Sequence, residues 1–231
     1  MSFPRPALVR RRDIDFDIGI LLGRGTFTSV YAAVEKASGR RCAMKIVDRY
    51  RCERLKKTPD LYMEKHCLQR LNHVNVIKML GWFSDNTNIY VLLEECLGGE
   101  LWELIGTSGC PVATARHYLA QLINAVSYLR QARIVHRDIK AENVMLTELQ
   151  AADSALLSSF SELVELGGSS ASGGSRVASR FDEVVKLIDF GTAKDLENPQ
   201  IKGAGNASRH KVFEDYAPWD LKPSQRHVKV T

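Results

Sequence analysis

A dense cluster of charged and amide side chains occupies residues 136–143, in the order His-Arg-Asp-Ile-Lys-Ala-Glu-Asn. Asp138 can accept the proton of an attacking hydroxyl, and Lys140 can neutralise charge on a group in transfer. Asn143, five residues beyond Asp138, and Asp189, at the end of an apolar run, offer the oxygen ligands that Mg²⁺ prefers. The alternative is a solvated loop, which is disfavoured because the cluster lies between a long helical pattern and a predicted strand.

A glycine-rich turn is predicted between two extended runs near the N-terminus. Its sequence is Gly23-Arg24-Gly25-Thr26-Phe27-Thr28-Ser29-Val30. Glycines let the backbone approach phosphates and present its N–H groups to them. The flanking strands argue against a dinucleotide-binding fold, in which the same pattern opens a helix. Taken alone, a Gly-x-Gly in a hairpin is usually only a turn.

Lys45 and Glu64 are predicted to form an ion pair. Lys45 interrupts an otherwise apolar strand pattern, where a lysine needs an anionic partner or an edge position from which it reaches water. Glu64 lies three residues after Leu61 and four before Leu68, so it shares the apolar face of its helix. A lone buried carboxylate is costly, and pairing with Lys45 would relieve both charges.

Composition narrows the class of protein. The 231 residues are 45% hydrophobic and 26% charged, with a formal net charge of +5, which is typical of a globular chain. Short basic runs at 10–12 and 222–229 are interpreted as solvated termini, so no nucleic-acid partner is expected. Five cysteines without a C-x-x-C pair argue against a disulfide framework or a zinc site. With no secretory signal and no membrane-length apolar run, we expect a cytoplasmic protein.

Hydrophobic patterns predict the strands and helices that carry these residues. Strands are predicted at 16–22, 28–35, 41–47, 76–83, 89–94, 144–146 and 184–188, a helix from Thr58, and a long helix at 112–131. The long helix is predicted to bury an apolar stripe of Val112, Ala115, Leu119, Leu122, Val126 and Leu129. Residues 151–180 are rich in serine and glycine and are predicted to be a mobile, dispensable insert, whose first half has a weak helical pattern.

Together these motifs resemble those of eukaryotic serine/threonine protein kinases. The resemblance covers about Phe16 to Pro218, apart from the insert, and Lys140 follows the serine/threonine pattern. Asp189-Phe190-Gly191-Thr192-Ala193-Lys194 is most similar to the phosphoinositide-dependent branch of the AGC group. The resemblance implies an α+β, two-lobed fold: a basic tail at 1–15, a β-rich N-lobe at 16–96 with one regulatory helix, and a partial, mostly helical C-lobe at 97–231 with the insert at about 151–180.

The resemblance also implies ATP-dependent phosphoryl transfer to serine or threonine hydroxyls of proteins, with ATP and Mg²⁺ as cofactors. Its implied catalytic residues are Asp138, Lys140, Lys45 and Glu64, and its implied metal ligands are Asn143 and Asp189. The implied nucleotide-binding residues are Leu22, Gly23, Arg24, Gly25, Thr26, Phe27, Thr28, Ser29, Val30, Ala43, Lys45, Glu94, Cys96, Glu100 and Met145. Protein substrates and other AGC kinases are the implied partners, and Ser208 lies where this branch carries an activating phosphate that Arg137 would contact.

Three features depart from the family pattern. Ala141 stands where the family has proline, and the link from Asp138 to Asp189 is longer than the usual hairpin. Residues 214–219 resemble the end of an activation segment, but Trp219 stands where the family has glutamate, and the chain ends soon after it. We therefore expect a C-terminally truncated lobe, an exposed apolar patch on the long helix, and impaired phosphate transfer. The alternative is a non-catalytic, pseudokinase-like ATP-binding fragment that acts through protein contacts.

Overall fold

The computed structural model describes residues 12–148 and 183–199. These residues divide into two compact units, the first made of 12–57 and 79–95 and the second of 58–78, 96–148 and 183–199. The predictions for the basic tail before residue 12, the insert at 151–180, Ser208 and the segment 214–219 lie outside the described residues.

The first unit is built on an antiparallel sheet of five strands in the order β1-β2-β3-β5-β4. Its strands are β1 Phe16–Arg24, β2 Thr28–Glu35, β3 Arg41–Asp48, β4 Met79–Ser84 and β5 Asn88–Leu93. All five were expected, although β4 begins later than the pattern predicts. A short helix, α1 (Arg49–Arg54), follows β3 and was not predicted; the Asp48 carboxylate caps it by accepting from the Arg51 N–H at 2.9 Å.

One face of this sheet carries the apolar core of the first unit. Strand alternation places Cys42 and Met44 on that face, where both are buried. The ring of Phe83 stacks between Phe16 and Tyr90, with centroid distances of 5.7 and 4.5 Å. The opposite face is therefore the one that carries Lys45, since neighbouring residues of a strand point to opposite sides.

The second unit is mostly helical. Its elements are α2 Thr58–Arg70, α3 Leu101–Ser108, α4 Val112–Gln131, β6 Ile134–Val135, a 3₁₀ turn Ala141–Asn143, β7 Val144–Glu148, β8 Glu183–Leu187 and β9 Lys194–Asp195. The short strands form two antiparallel pairs, β6 with β9 and β7 with β8. Helix α2 begins at Thr58 as predicted and buries Leu61, Glu64 and Leu68 together. The predicted α+β class is confirmed.

The predicted buried stripe of α4 is wrong. Of its six residues only Leu129 is buried, whereas Val112, Leu119 and Val126 are exposed. Ile123 is also 68% exposed, so an apolar patch lies on the outside of this helix, as the sequence analysis expected. The buried residues of α4 are instead His117, Tyr118, Gln121, Ala125 and Leu129.

Polar side chains on the buried side of α4 contact strand β8. Gln121 is fully buried on α4, and its Oε1 accepts from the Asn75 amide and from the Val185 N–H, each at 2.8 Å. Its Nε2 donates to the Glu183 carbonyl oxygen at 3.0 Å. Because strand β8 presents backbone groups to α4, the helix turns a polar face inward that satisfies them.

All five cysteines are free thiols, and Cys42, Cys52 and Cys67 are buried. Burial raises the pKa of Cys67 to about 12, so this thiol stays protonated at neutral pH. Within residues 12–148 and 183–199, no helix combines the length and the apolar character that crossing a membrane requires.

We expect Gln121→Leu to lower the free energy of unfolding by about 2–4 kcal/mol, because it leaves the Val185 N–H and one N–H of the Asn75 amide buried without their acceptor. Urea unfolding followed by circular dichroism measures this. Gln131→Leu, at the exposed end of the same helix, is the matched control and should change stability by less than about 0.5 kcal/mol. Equal midpoints for the two variants would contradict the prediction.

Candidate active site

The cluster at 136–143 forms a compact loop in the second unit. Asp138 is half-buried, and its Oδ2 lies 3.0 Å from the Lys140 ammonium. The Asn143 amide donates to the Asp138 backbone oxygen at 2.8 Å and to its Oδ2 at 2.9 Å. The structure thus brings together three of the predicted site residues, and Asn143 fixes the direction in which the Asp138 carboxylate points.

Local charges keep the Asp138 carboxylate ionised. The hydrogen bond from Lys140 lowers the pKa of Asp138, and the one from Asn143 acts in the same direction. In return, the hydrogen bond to Asp138 raises the pKa of Lys140. At neutral pH the site therefore holds a carboxylate that can accept a proton and an ammonium that can balance negative charge beside it.

His136 ties this loop to the segment that follows Asp189, a role that the sequence analysis missed. Its ring is buried; Nε2 donates to the Ile188 carbonyl oxygen at 2.8 Å, and Nδ1 accepts from the Asp138 N–H at 3.3 Å. Burial lowers the pKa of His136, which agrees with a neutral ring that donates from one nitrogen and accepts at the other. Phe190 contacts the ring edge-to-face at 4.7 Å. The sequence signal for this role was the position of a histidine directly before Arg137 and Asp138.

Asn143 and Asp189 lie at the same end of the β7–β8 pair. Val144 pairs with Leu187, so Asn143 comes just before one strand and Asp189 just after the other. The Ile188 N–H donates to the Asn143 backbone oxygen at 2.9 Å, which closes this end. Asp189 has a left-handed φ of 55°, and its Oδ1 accepts from the Gly191 N–H at 3.1 Å. Two oxygen-bearing side chains predicted as metal ligands are therefore neighbours in the fold.

The chemistry of these side chains fits Mg²⁺. The Asn143 nitrogen is engaged with Asp138, which leaves its amide oxygen as the atom able to face a cation. Across residues 12–148 and 183–199, no cluster of three or more His, Cys, Asp or Glu side chains forms a self-contained metal site. Two protein oxygens suit Mg²⁺, which commonly takes one or two protein ligands and completes its shell with water and phosphate.

The segment from Cys96 to Glu100 packs against β7. The Gly98 N–H donates to the Leu146 carbonyl oxygen at 2.8 Å, and the Leu146 N–H donates to the Gly99 carbonyl oxygen at 2.9 Å. Glu100 and Met145 form an isolated antiparallel bridge beside these bonds. Two predicted nucleotide-binding residues are thus neighbours. A Cβ atom on Gly98 would lie 2.7 Å from the Leu146 oxygen, so this approach requires glycine.

In the first unit, the predicted nucleotide-binding residues follow the glycine turn. The Gly25 N–H donates to the Thr28 carbonyl oxygen at 2.8 Å, and the Asp48 N–H donates to the Phe27 carbonyl oxygen at 3.0 Å. The turn is therefore held at its base by backbone bonds and anchored to the end of β3.

The strand register decides which side chains share a face. Val30 pairs with Lys45, which pairs in turn with Val91, and these three lie on one face. Ala43 belongs to the same face, whereas Ser29 pairs with Ile46 on the other. A contribution of Ser29 to nucleotide binding would accordingly come from its backbone. Leu22, Arg24 and Thr26 are exposed, Phe27 and Thr28 are half-buried, and Glu94 and Cys96 follow β5.

Glu64 is 5% exposed, and Lys45 is half-buried. Lys45 belongs to the first unit and Glu64 to the second, so their pairing stays a prediction.

Comparison with known proteins adds an independent result. The profile of the protein kinase domain matches residues 16–213. The chain is 30% identical to 3-phosphoinositide-dependent protein kinase 1 of Arabidopsis thaliana over 195 residues, which are 84% of this chain and 33% of that protein. It is 34% identical to the Homo sapiens protein of the same name over 202 residues, which are 87% of this chain and 30% of that protein. An Aurora kinase of Candida glabrata is 34% identical over 188 residues, 80% of this chain and 42% of that protein. The chain thus spans less than half the length of these relatives.

We expect Gly98→Ala to destabilise the second unit by about 1–3 kcal/mol, because its Cβ would collide with the backbone of Leu146 and break the hydrogen bond there. Thermal unfolding measures the change. Gly106→Ala is the matched control: its Cβ would meet nothing within 4 Å inside α3, and alanine should stabilise that helix by about 0.5–1 kcal/mol. A Gly98→Ala protein as stable as Gly106→Ala would show that the close packing is not required.

Proposed function

Because this chain belongs to the protein kinase family, we propose that it transfers the γ-phosphoryl group of ATP to serine or threonine hydroxyls of protein substrates. Its resemblance to phosphoinositide-dependent protein kinases is confirmed by the identities of 30% and 34% over more than four fifths of the chain. The observation that carries the proposal is the ionised Asp138 carboxylate, held by Lys140 and Asn143 within hydrogen-bond distance.

Asp138 acts as the base in this proposal. Its carboxylate accepts the proton of the substrate hydroxyl as that oxygen attacks phosphorus. Lys140 stays protonated and balances the negative charge that moves toward the acceptor. The amide of Asn143 prevents the carboxylate from rotating, which keeps its free lone pairs directed at the hydroxyl.

Asn143 and Asp189 would hold Mg²⁺ through their side-chain oxygens. Bound there, the ion neutralises charge on the phosphate oxygens of ATP. The hydrogen bond from the Ile188 N–H to the Asn143 backbone oxygen supports this role, because it keeps the two segments that carry the ligands together.

The remaining site residues bind the nucleotide. The backbone N–H groups of the glycine turn cover its phosphates, and Lys45, oriented by Glu64, contacts the α- and β-phosphates. The backbone of Glu94 and Cys96 contacts adenine, Glu100 contacts the ribose, and Met145 lies beside the base. The bridge between Glu100 and Met145 supports the last two assignments.

One observation favours a second function, that of a non-catalytic ATP-binding or pseudokinase-like module that acts through protein contacts. The apolar side chains on the outside of α4, including Leu119 and Ile123, form the kind of surface that protein partners cover. The complete set of catalytic side chains favours the enzyme instead, and phosphate transfer separates the two.

We expect residues 1–231 to transfer phosphate from labelled ATP to a mixture of serine- and threonine-containing peptides, and Asp138→Asn to lower the rate by about 10²-fold or more, because the amide cannot serve as the base. Asp17→Asn is the control, since its side chain is 73% exposed and its carboxylate lies 3.4 Å from the Lys36 ammonium in the first unit. Equal transfer by wild type and Asp138→Asn would reject catalysis and favour the second function.

We expect Lys45→Met to weaken ATP binding by about tenfold or more and to abolish most phosphate transfer, since a phosphate contact is lost. If Glu64 orients Lys45, Glu64→Gln should reduce transfer in the wild-type background but have little further effect beside Lys45→Met. A double-mutant cycle on transfer rates tests the coupling, with the exposed Lys36→Met as control. Additive effects would rule out the ion pair.

A further inference from the structure

Asp195 is a fully buried carboxylate that the proposed mechanism does not use. It lies in β9, and its oxygens accept from His66 Nε2 at 2.8 Å, from the Glu197 N–H at 2.9 Å and from an Arg70 nitrogen. Asn198 adds its N–H and its side-chain amide, at 3.3 and 3.2 Å. Burial alone would raise the pKa of Asp195, but the hydrogen bonds from Arg70 and His66 outweigh it and hold the pKa well below its usual range. The carboxylate is therefore charged, and the lone pairs of its two oxygens are engaged in hydrogen bonds.

Arg70 extends this contact to a third element. It is the last residue of α2, and its second guanidinium nitrogen donates to the Ala132 carbonyl oxygen at 3.2 Å, at the C-terminal end of α4. The same nitrogen lies 3.1 Å from a Glu197 carboxylate oxygen. A planar guanidinium can reach several acceptors in fixed directions, which an ammonium cannot do. We call Asp195, Arg70 and His66 the Asp195 junction; it joins α2 to β9 and to the end of α4.

The elements that meet at the junction also carry the catalytic side chains. Strand β9 pairs with β6, with Ile134 opposite Asp195, and β6 runs directly into His136. Helix α2 carries Glu64 six residues before Arg70, which is about 9 Å along a rigid helix at 1.5 Å per residue. A shift of α2 relative to β9 would therefore move Glu64 relative to the catalytic loop by a similar amount.

The Asp195 junction is expected to add little to the free energy of unfolding. The cost of removing two charges from water largely offsets their attraction, and apolar side chains of similar size often stabilise a fold equally well or better. What a buried, multiply hydrogen-bonded ion pair adds is a defined geometry between the elements that it joins.

We propose that Asp195 is a positioning residue for phosphoryl transfer: through Arg70 and His66 it fixes helix α2, and with it Glu64, relative to the β6–β9 pair that leads into the catalytic loop. This inference rests on the proposed function, because Glu64 matters to catalysis only if it orients Lys45.

The test uses the full chain with Arg70→Gln and Asp195→Asn combined. This double variant removes both charges, so neither is left buried alone, and it keeps groups that can hydrogen-bond. Glu197→Gln is the matched control, because its carboxylate also contacts Arg70 but is 55% exposed. Two readouts are taken for each protein: amide hydrogen exchange along α2, and kcat and KM for phosphate transfer to a peptide.

We expect amides of α2 in the double variant to exchange about tenfold faster or more, while those of β4 and β5 keep their wild-type rates. We expect kcat to fall by about tenfold or more with KM for the peptide changed by less than about twofold, since misplacing a catalytic group by an ångström costs up to about a hundredfold. Arg70→Lys, which keeps the charge but not the planar fork, should also lower kcat. The control should match wild type in both readouts.

Wild-type exchange along α2 in the double variant would overturn the proposal, and so would faster exchange spread equally over both units, which indicates a general loss of stability. Full kcat in the double variant or in Arg70→Lys would overturn it as well. If the wild-type chain itself transfers no more phosphate than Asp138→Asn, the proposed function fails instead, and the exchange measurement still decides whether the junction fixes α2.

Discussion

The backbone of strand β8 is the constraint on which the second unit depends. Its residues from Val184 to Leu187 are almost completely buried, so each N–H and carbonyl group there needs a partner inside the protein. One edge pairs with β7. On the other side, Gln121 accepts from Val185, and the Leu187 N–H donates to the Asn75 carbonyl oxygen at 2.9 Å. The hydrogen bonds that satisfy the backbone of β8 join it to α4, and its pairing with β7 brings Asn143 and Asp189 to the same end of the pair.

The proximity of the candidate site residues was easier to predict from sequence than the packing around them. The residue types at 138, 140, 143 and 189 have few uses together. Helix α2 was predicted from its start at Thr58 and from the helical spacing of its apolar residues, among which Glu64 lies. The buried face of α4 was predicted wrongly, since a periodicity argument counts Gln121 and His117 as polar and therefore exposed. Helix α1 and the two-residue strands β6 and β9 are too short for any periodicity, and helix α3 was not predicted.

Charge is placed in this protein according to how much water surrounds it. At the half-buried Asp138, one lysine and one amide suffice, and two lone pairs remain for chemistry. At the fully buried Asp195, five donors surround the carboxylate, so its oxygens have no lone pair left to accept another hydrogen bond. The two aspartates have the same side chain, yet Asp138 can accept further hydrogen bonds and Asp195 cannot, and their hydrogen-bond partners make that difference.

The ends of the β7–β8 pair make this chain suited to engineering. Glu148 lies directly opposite Glu183, so the Cα atoms of these two residues are about 5 Å apart. A folded reporter whose own termini lie close together could be joined at these two positions with little strain on the ladder.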